Sequence, residues 1–219
     1  PMRMAGRMKM GYYPTPARVV EYIRSCLSFP PAPFTALDPC CGEGLALERL
    51  TSGTQTVTYG VELDQHRAAE AGSHIRNVLK CGIEETRIAR QSCSLLFLNP
   101  PYDEATLGED ADTKTERQEK AFLRMTVPYL VPGGVLVYII PQARLNGGIA
   151  RLLASRFERV PVFRFPDPEY GDFNQVVVLG VRKTRDSLDE ELALKLQKVP
   201  NRELEPLSEM LAIRPCSPR

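Results

Sequence analysis

Short aliphatic runs, most of them separated by segments of helical spacing, constrain this chain more than any other feature. The runs are Phe34 to Leu37, Thr56 to Glu62, Arg76 to Lys80, Ser94 to Leu98, Val135 to Ile140, Val160 to Phe165 and Gln175 to Arg182. Between them lie helical patterns. Thr15 and Pro16 read as the cap and first residue of a helix carrying Val19, Val20, Ile23, Cys26 and Leu27 on one stripe. Further helices are expected at Leu45 to Leu50, after a cap at Asp64, and over Glu116 to Leu130, Arg144 to Arg156 and Leu188 to Lys198. Asp103 to Thr115 is polar and reads as a mobile loop, and Pro132-Gly133-Gly134 reads as a turn. Ile75, Val78 and Leu79 fit a helix by period, but an alternating chain needs a strand there, and the strand is preferred. Strands alternating with helices predict an α/β fold, a mostly parallel sheet of seven strands with helices on both faces. The link between the last two strands is too short for a crossover helix, so they are expected to pair antiparallel.

A chain of 219 residues has room for one such domain and an appendage. Its 28 basic and 27 acidic residues leave a net charge of +1, which excludes a polycation but allows a local basic patch. No apolar run approaches a membrane span, and no signal peptide is evident, so no membrane partner and a cytoplasmic location are expected. The six cysteines include the adjacent pair Cys40 and Cys41 but no Cys-x-x-Cys. With His66 and His74 eight apart, no metal site is expected. Reduced thiols fit a cytoplasmic protein. The chain begins at Pro1, so an incomplete translation product is expected.

Three motifs carry chemistry. Asp38-Pro39-Cys40-Cys41-Gly42-Glu43-Gly44 follows the first strand and precedes a helix, so Gly42 and Gly44 let a ligand approach the backbone at the free N–H groups of a helix start. It has neither the Lys-Ser/Thr of a phosphate loop nor the three glycines of a dinucleotide site. Val61-Glu62-Leu63-Asp64 puts an acid at the end of the second strand, where a carboxylate can accept both hydroxyls of a ribose. A solvated strand end for Glu62 and a helix cap for Asp64 are the structural alternatives. Asn99-Pro100-Pro101-Tyr102 directly follows the fourth apolar run. The prolines fix the backbone, the Asn99 side-chain oxygen and the Pro100 carbonyl can both accept from one amino group, and Tyr102 offers a flat face to a planar ring. That set suits an exocyclic amine on a heterocycle, or a planar amide.

In this order the motifs resemble the class I S-adenosylmethionine-dependent amino-N methyltransferases, best known as DNA N6-adenine methyltransferases. Gly11-Tyr12-Tyr13-Pro14-Thr15-Pro16 looks like that family's N-terminal cofactor motif, and the resemblance covers roughly Gly11 to Lys183. It implies a Rossmann-like, doubly wound sheet and S-adenosyl-L-methionine as cofactor. Thr15 and the Cys41–Gly44 loop, with Gly42 in it, would hold the methionine part, Tyr13 and Cys40 would also contact the cofactor, and Asp38 would orient the loop or the cofactor's ammonium group. Glu62 would hold the ribose and Leu63 would pack on the adenine. Where the family has an acid for the adenine amine, this chain has Cys81, Gly82 and Ile83, so backbone groups or Glu84 would take that role. Asn99 and Pro100 would polarise the target amine and Tyr102 would stack on the target base. Phe173 stands where the family often has a second aromatic over a flipped base, and an ordinary hydrophobic plug is the alternative.

The implied activity is methyl transfer to an exocyclic amine, with adenine N6 in DNA as first candidate. RNA adenine or guanine, or protein glutamine, are the alternatives. A non-catalytic binding module of the same fold also stays open. The division expected is a basic arm over 1–10, a catalytic domain over 11–183 and a helical, Pro-rich tail or linker over 184–219. The tail is too short for a target-recognition domain, which would then be missing from this chain or lie on a partner.

Overall fold

The computed structural model describes residues 13–101 and 109–212, without the side chains of 109–117, 173 and 210–212. Its strands are β1 (Phe34–Asp38), β2 (Thr56–Val61), β3 (Asn77–Leu79), β4 (Cys93–Leu98), β5 (Leu130–Pro141), β6 (Phe157–Glu158), β7 (Val162–Arg164) and β8 (Gln175–Arg182). They form one sheet in the order β3-β2-β1-β4-β5-β8-β6, with β7 also on β8. The first five strands run parallel, and β8 is antiparallel to β5, with Tyr138 opposite Val178. β6 and β7 pair with the same strand, at Glu158↔Val181 and Val162↔Val178, so three residues face two and one edge strand is interrupted by a bulge. The sheet therefore has seven positions, as the alternation predicts, with its antiparallel strands at the end of the chain.

The helices are α1 (Ala17–Ser25), α2 (Leu45–Thr51), α3 (Gln65–Ala71), α4 (Glu109–Thr126), α5 (Gly147–Arg156), α6 (Glu169–Phe173) and α7 (Glu190–Gln197). Successive strand residues face opposite layers. Ala36, Leu95 and Phe97 pack with Val19 and Ile23 of α1 and Leu47 and Leu50 of α2. Leu37, Leu96 and Leu98 pack with Leu123 of α4, Ile149 and Leu153 of α5 and Leu196 of α7. Residues covered on both sides of the sheet explain the unbroken apolar runs of β4 and β8. Asp64 caps α3 by accepting from the N–H groups of His66 and Arg67, and Asn146 caps α5 in the same way from Gly148 and Ile149.

Four local expectations change. Pro16, not Thr15, is the capping position of α1, and it makes no side-chain cap bond. The turn at Pro132-Gly133-Gly134 lies inside β5, looped out between the pairs Cys93↔Leu130 and Leu95↔Val135, with Gly133 at φ 77°. α4 begins at Glu109, within the stretch read as a polar loop, because its first turns carry no apolar stripe for periodicity to find. Arg144 to Asn146 precede α5 rather than starting it, because Asn146 accepts the free N–H groups of the first turn. Among the described residues no helix is long and apolar enough to cross a membrane. Cys26, Cys40, Cys41, Cys81 and Cys93 are free thiols.

β1–β2 and β2–β3 are joined through helices, but the β3–β4 link holds only a single 3₁₀ turn, Ile83–Glu85. The sheet beside α4 is left bare over β1 to β3, where Tyr59 is 42% and Leu79 48% exposed along a groove of about 700 Å³.

Candidate functional site

The carboxyl ends of β1, β2 and β4 deliver Asp38, Glu62 and Asn99 to one edge of the sheet. In an open α/β sheet this is where ligands bind. The loop after β1 is shaped by two glycines in the left-handed region, Gly42 at φ 55° and Gly44 at φ 83°. A Cβ on Gly44 would also press on Ile75 at 3.1 Å. Cys41 N–H donates to the Val61 carbonyl at 2.9 Å, which ties the loop to β2.

Glu62 is 6% exposed and fully engaged. Its Oε2 accepts from Gly42 N–H at 2.9 Å, and its Oε1 accepts from Asp64 N–H and from Arg67 Nη2, both at 2.8 Å. The carboxylate therefore fixes the glycine loop and the start of α3 while standing at the cavity wall. Asp38 is 2% exposed and accepts from Cys40 N–H at 3.0 Å. Burial, opposed by that hydrogen bond and helped by the charge of Glu62, pushes its carboxyl up to about 7. Burial and the nearby carboxylates also push the thiols of Cys40 and Cys41 up, so both stay protonated at neutral pH. They act there as small side chains and donors rather than nucleophiles.

Asn99 is held from two directions. Its side-chain amide donates to the Tyr13 carbonyl at 3.0 Å and to Thr15 Oγ1 at 3.1 Å, and its own carbonyl accepts from the Cys40 thiol at 3.1 Å. Thr15 is thus bound to the strand-four motif, which is why it does not cap α1. With the amide nitrogen committed to the N-terminal segment, Oδ1 is the atom this side chain can offer to an incoming N–H. Pro100 is buried directly behind it.

Two cavities meet at these residues. One, of about 250 Å³, is lined by Glu62, Leu63, Cys81, Gly82 and Ile83, with Glu84 and Arg67. The other, of about 110 Å³, is lined by Thr15, Asp38, Cys41 and Leu45. Tyr13, Cys40 and Asn99 line both. Together they reach the lower end of the roughly 300–1,000 Å³ expected of ligand pockets. Leu63, 60% exposed, presents an apolar surface at the wall of the first.

The structure gathers Tyr13, Thr15, Asp38, Cys40, Cys41, Glu62, Leu63, Cys81, Gly82, Ile83 and Asn99 around these cavities, with Gly42 and Gly44 shaping the loop between them. Tyr102 and the Phe173 side chain lie outside the described residues, as do Gly11, Tyr12 and the arm bearing Arg3, Arg7 and Lys9. The backbone of α6 is described and joins the α1 region, where Arg18 donates to the Asp167 carbonyl at 3.0 Å. Sequence reasoning missed Arg67 and Phe122. Arg67 stands one capped turn after Glu62, which is a usable signal. Phe122 reaches the first cavity from α4, and only the packing of that helix shows it.

A family model described as an uncharacterised methyltransferase family (DUF6094) matches residues 2–205. No curated protein is similar enough in sequence to match the chain. Solved structures share the fold. One is titled a putative class I S-adenosylmethionine-dependent methyltransferase from Listeria monocytogenes, with TM-score 0.59 and 13% identity, covering 84% of this chain and 68% of that one. Another is a predicted O-methyltransferase from Agrobacterium tumefaciens, at TM-score 0.55 and 18% identity, covering 77% and 83%. A third is an RNA methyltransferase from Salinibacter ruber in complex with S-adenosyl-L-homocysteine, at TM-score 0.52 and 14% identity, covering 81% and 98%.

Proposed function

The chain belongs to this methyltransferase family, and from that premise we propose that it transfers a methyl group from S-adenosylmethionine to an exocyclic amine of a nucleic-acid base, adenine N6 in DNA first. The observation that carries the reading is Asn99. Its amide nitrogen is held by Tyr13 and Thr15, so its oxygen is kept as an acceptor where two cavities meet, ahead of Pro100-Pro101.

The residues present fit the cofactor. Asp38 and Cys41 would border its methionine part, Glu62 its ribose and Leu63 its adenine, with Cys81 to Ile83 beside the ring. When bound, the cofactor supplies an activated methyl group. The protein's part is positioning and electrostatics. Asn99 Oδ1 and the Pro100 carbonyl accept the two N–H groups of the target amine. These acceptors favour a pyramidal nitrogen, whose lone pair is otherwise delocalised into the ring, and stabilise positive charge as it develops there. Tyr102 and Phe173 would stack on the base, which in a duplex must first leave the helix. Recognition of a target sequence is assigned to a part beyond this lobe or to a partner.

Labelled-methyl transfer to single-stranded DNA, duplex DNA, RNA and a glutamine peptide tests the reading. N6-methyladenine in DNA is the expected product, and label only in RNA or peptide would move the assignment to that substrate. Asn99→Ala should reduce transfer at least 100-fold while calorimetric cofactor binding stays within a few-fold. Normal transfer by this variant would refute the role of Asn99. Absence of cofactor binding by the wild-type protein would favour a binding module.

A further inference from the structure

At the opposite end of the sheet from Asn99, another cavity has a charge unlike the rest of the molecule. It measures about 280 Å³ and lies where β4 and β5 begin and β8 ends. Five cations line it, Arg90, Arg124, Arg156, Arg182 and Lys183, against one carboxylate, Asp186. The whole chain carries only +1, so this excess is local.

Three of the five cations are held in place. Arg182, 14% exposed, and Arg156 share Asp186, one on each carboxylate oxygen. The Lys183 ammonium donates to the Ala154 and Ser187 carbonyls at 2.7 and 2.8 Å. Arg90 and Arg124 are exposed and have no ion-pair partner among the described residues. Two guanidiniums therefore share one carboxylate, and two more stand at the rim without one. Burial and the charge of Arg156 already lower the pKa of Arg182. An anion entering the cavity would relieve that repulsion.

The cavity also adjoins a path to the candidate site. The bare sheet groove beside α4 is lined by Val61 and by Arg87 to Ala89. Val61 also lines the cavity beside Glu62, and the chain continues from Ala89 into Arg90 and Gln91 of the basic cavity. From Ser92 to Asn99 the distance along β4 is about 23 Å at strand rise, a span that several nucleotides of an extended single strand can cover. A concave slot rimmed by arginine forks suits a phosphate on a narrow chain better than a flat lipid surface.

We propose that this cavity is a phosphodiester-binding site, a second contact for a polynucleotide that lies along the bare groove between it and Asn99. This rests on the nucleic-acid reading above and adds to it the place where part of the backbone is held.

Fluorescence anisotropy with labelled single-stranded and duplex 20-mers, titrated from 50 to 200 mM salt, tests it without any methyl transfer. Arg90→Gln/Arg124→Gln should weaken single-strand binding at least tenfold at low salt and reduce the slope of log affinity against log salt by about 1.4. Arg90→Glu/Arg124→Glu should weaken it further, with the melting temperature unchanged in both. These results uphold the site even if no methyl reaches the oligonucleotide. Unchanged binding and slope in both variants overturn it, and if the wild type still methylates the oligonucleotide, the proposed activity stands without it. Failure of the wild-type protein to bind either 20-mer also overturns it. Tight binding of inorganic phosphate, lost in the variants while 20-mer binding is unaffected, would show a small-anion site and overturn it too.

Discussion

Cofactor binding should depend on pH through Asp38. Its carboxyl is buried at the end of β1, and burial carries it from 3.8 to about 7. At pH 6 about one Asp38 in eleven is ionised, and at pH 8 about ten in eleven. If the cofactor's ammonium group is received by the ionised form, its dissociation constant should be about tenfold weaker at pH 6 than at pH 8, close to 1.4 kcal/mol. Isothermal calorimetry from pH 6 to 8, in buffers of different ionisation enthalpy, should also show proton release on binding below pH 7. Asp38→Asn should flatten the profile and bind at pH 8 no better than the wild type does at pH 6. Stability should move the other way. A carboxyl whose pKa is raised by folding contributes stability that is complete below its unfolded value near 4 and lost as pH rises through 7. The loss is about 4 kcal/mol. Without cofactor, Asp38→Asn should therefore melt higher than the wild type at pH 8 and about equally at pH 4. Wild-type affinity flat within twofold from pH 6 to 8 would refute the reasoning, as would a variant that keeps the wild-type slope.

Three further outcomes test the fold that holds the site. Gly60→Ala places a Cβ 2.6 Å from Cys41 Sγ and 2.9 Å from Ile75 Cδ1, so it should cost about 1–3 kcal/mol in denaturant unfolding and weaken cofactor binding through the loop. Asp64→Ala removes the cap of α3 and should cost about 1 kcal/mol, read as a shifted urea midpoint. Leu196→Ala opens a cavity in the layer where α7 packs on α5 and should cost about 2–5 kcal/mol. A negligible cost for Leu196→Ala would mean that α7 contributes little to the packed layer.

Much of the fold is legible because its strands are covered on both faces. Leu95 and Phe97 face one helical layer and Leu96 and Leu98 the other, so β4 reads as one unbroken apolar run, and the same holds for β8. The caps at Asp64 and Asn146 act within three residues, which is why Asp64 is visible in the sequence. The start of α4 is harder to see because the sequence from Glu109 to Glu116 carries no apolar stripe. The bulge that splits β6 from β7 is set by pairing with β8, which no local pattern carries.

The candidate site divides along the same line. Asp38, Glu62 and Asn99 each follow an apolar run, so the sequence by itself determined that three polar groups would end three strands of one sheet. Only the tertiary structure decided their partners. Glu62 accepts from Gly42 and is paired with Arg67, and Asn99 donates to Tyr13 and Thr15, more than eighty residues earlier. The physical reason is range. Periodicity and capping are fixed by neighbours in sequence, whereas the burial of Asp38, the hold on Asn99 and the gathering of five cations at the far end of the sheet depend on strand order. Strand order is fixed only when the whole sheet packs between its helices.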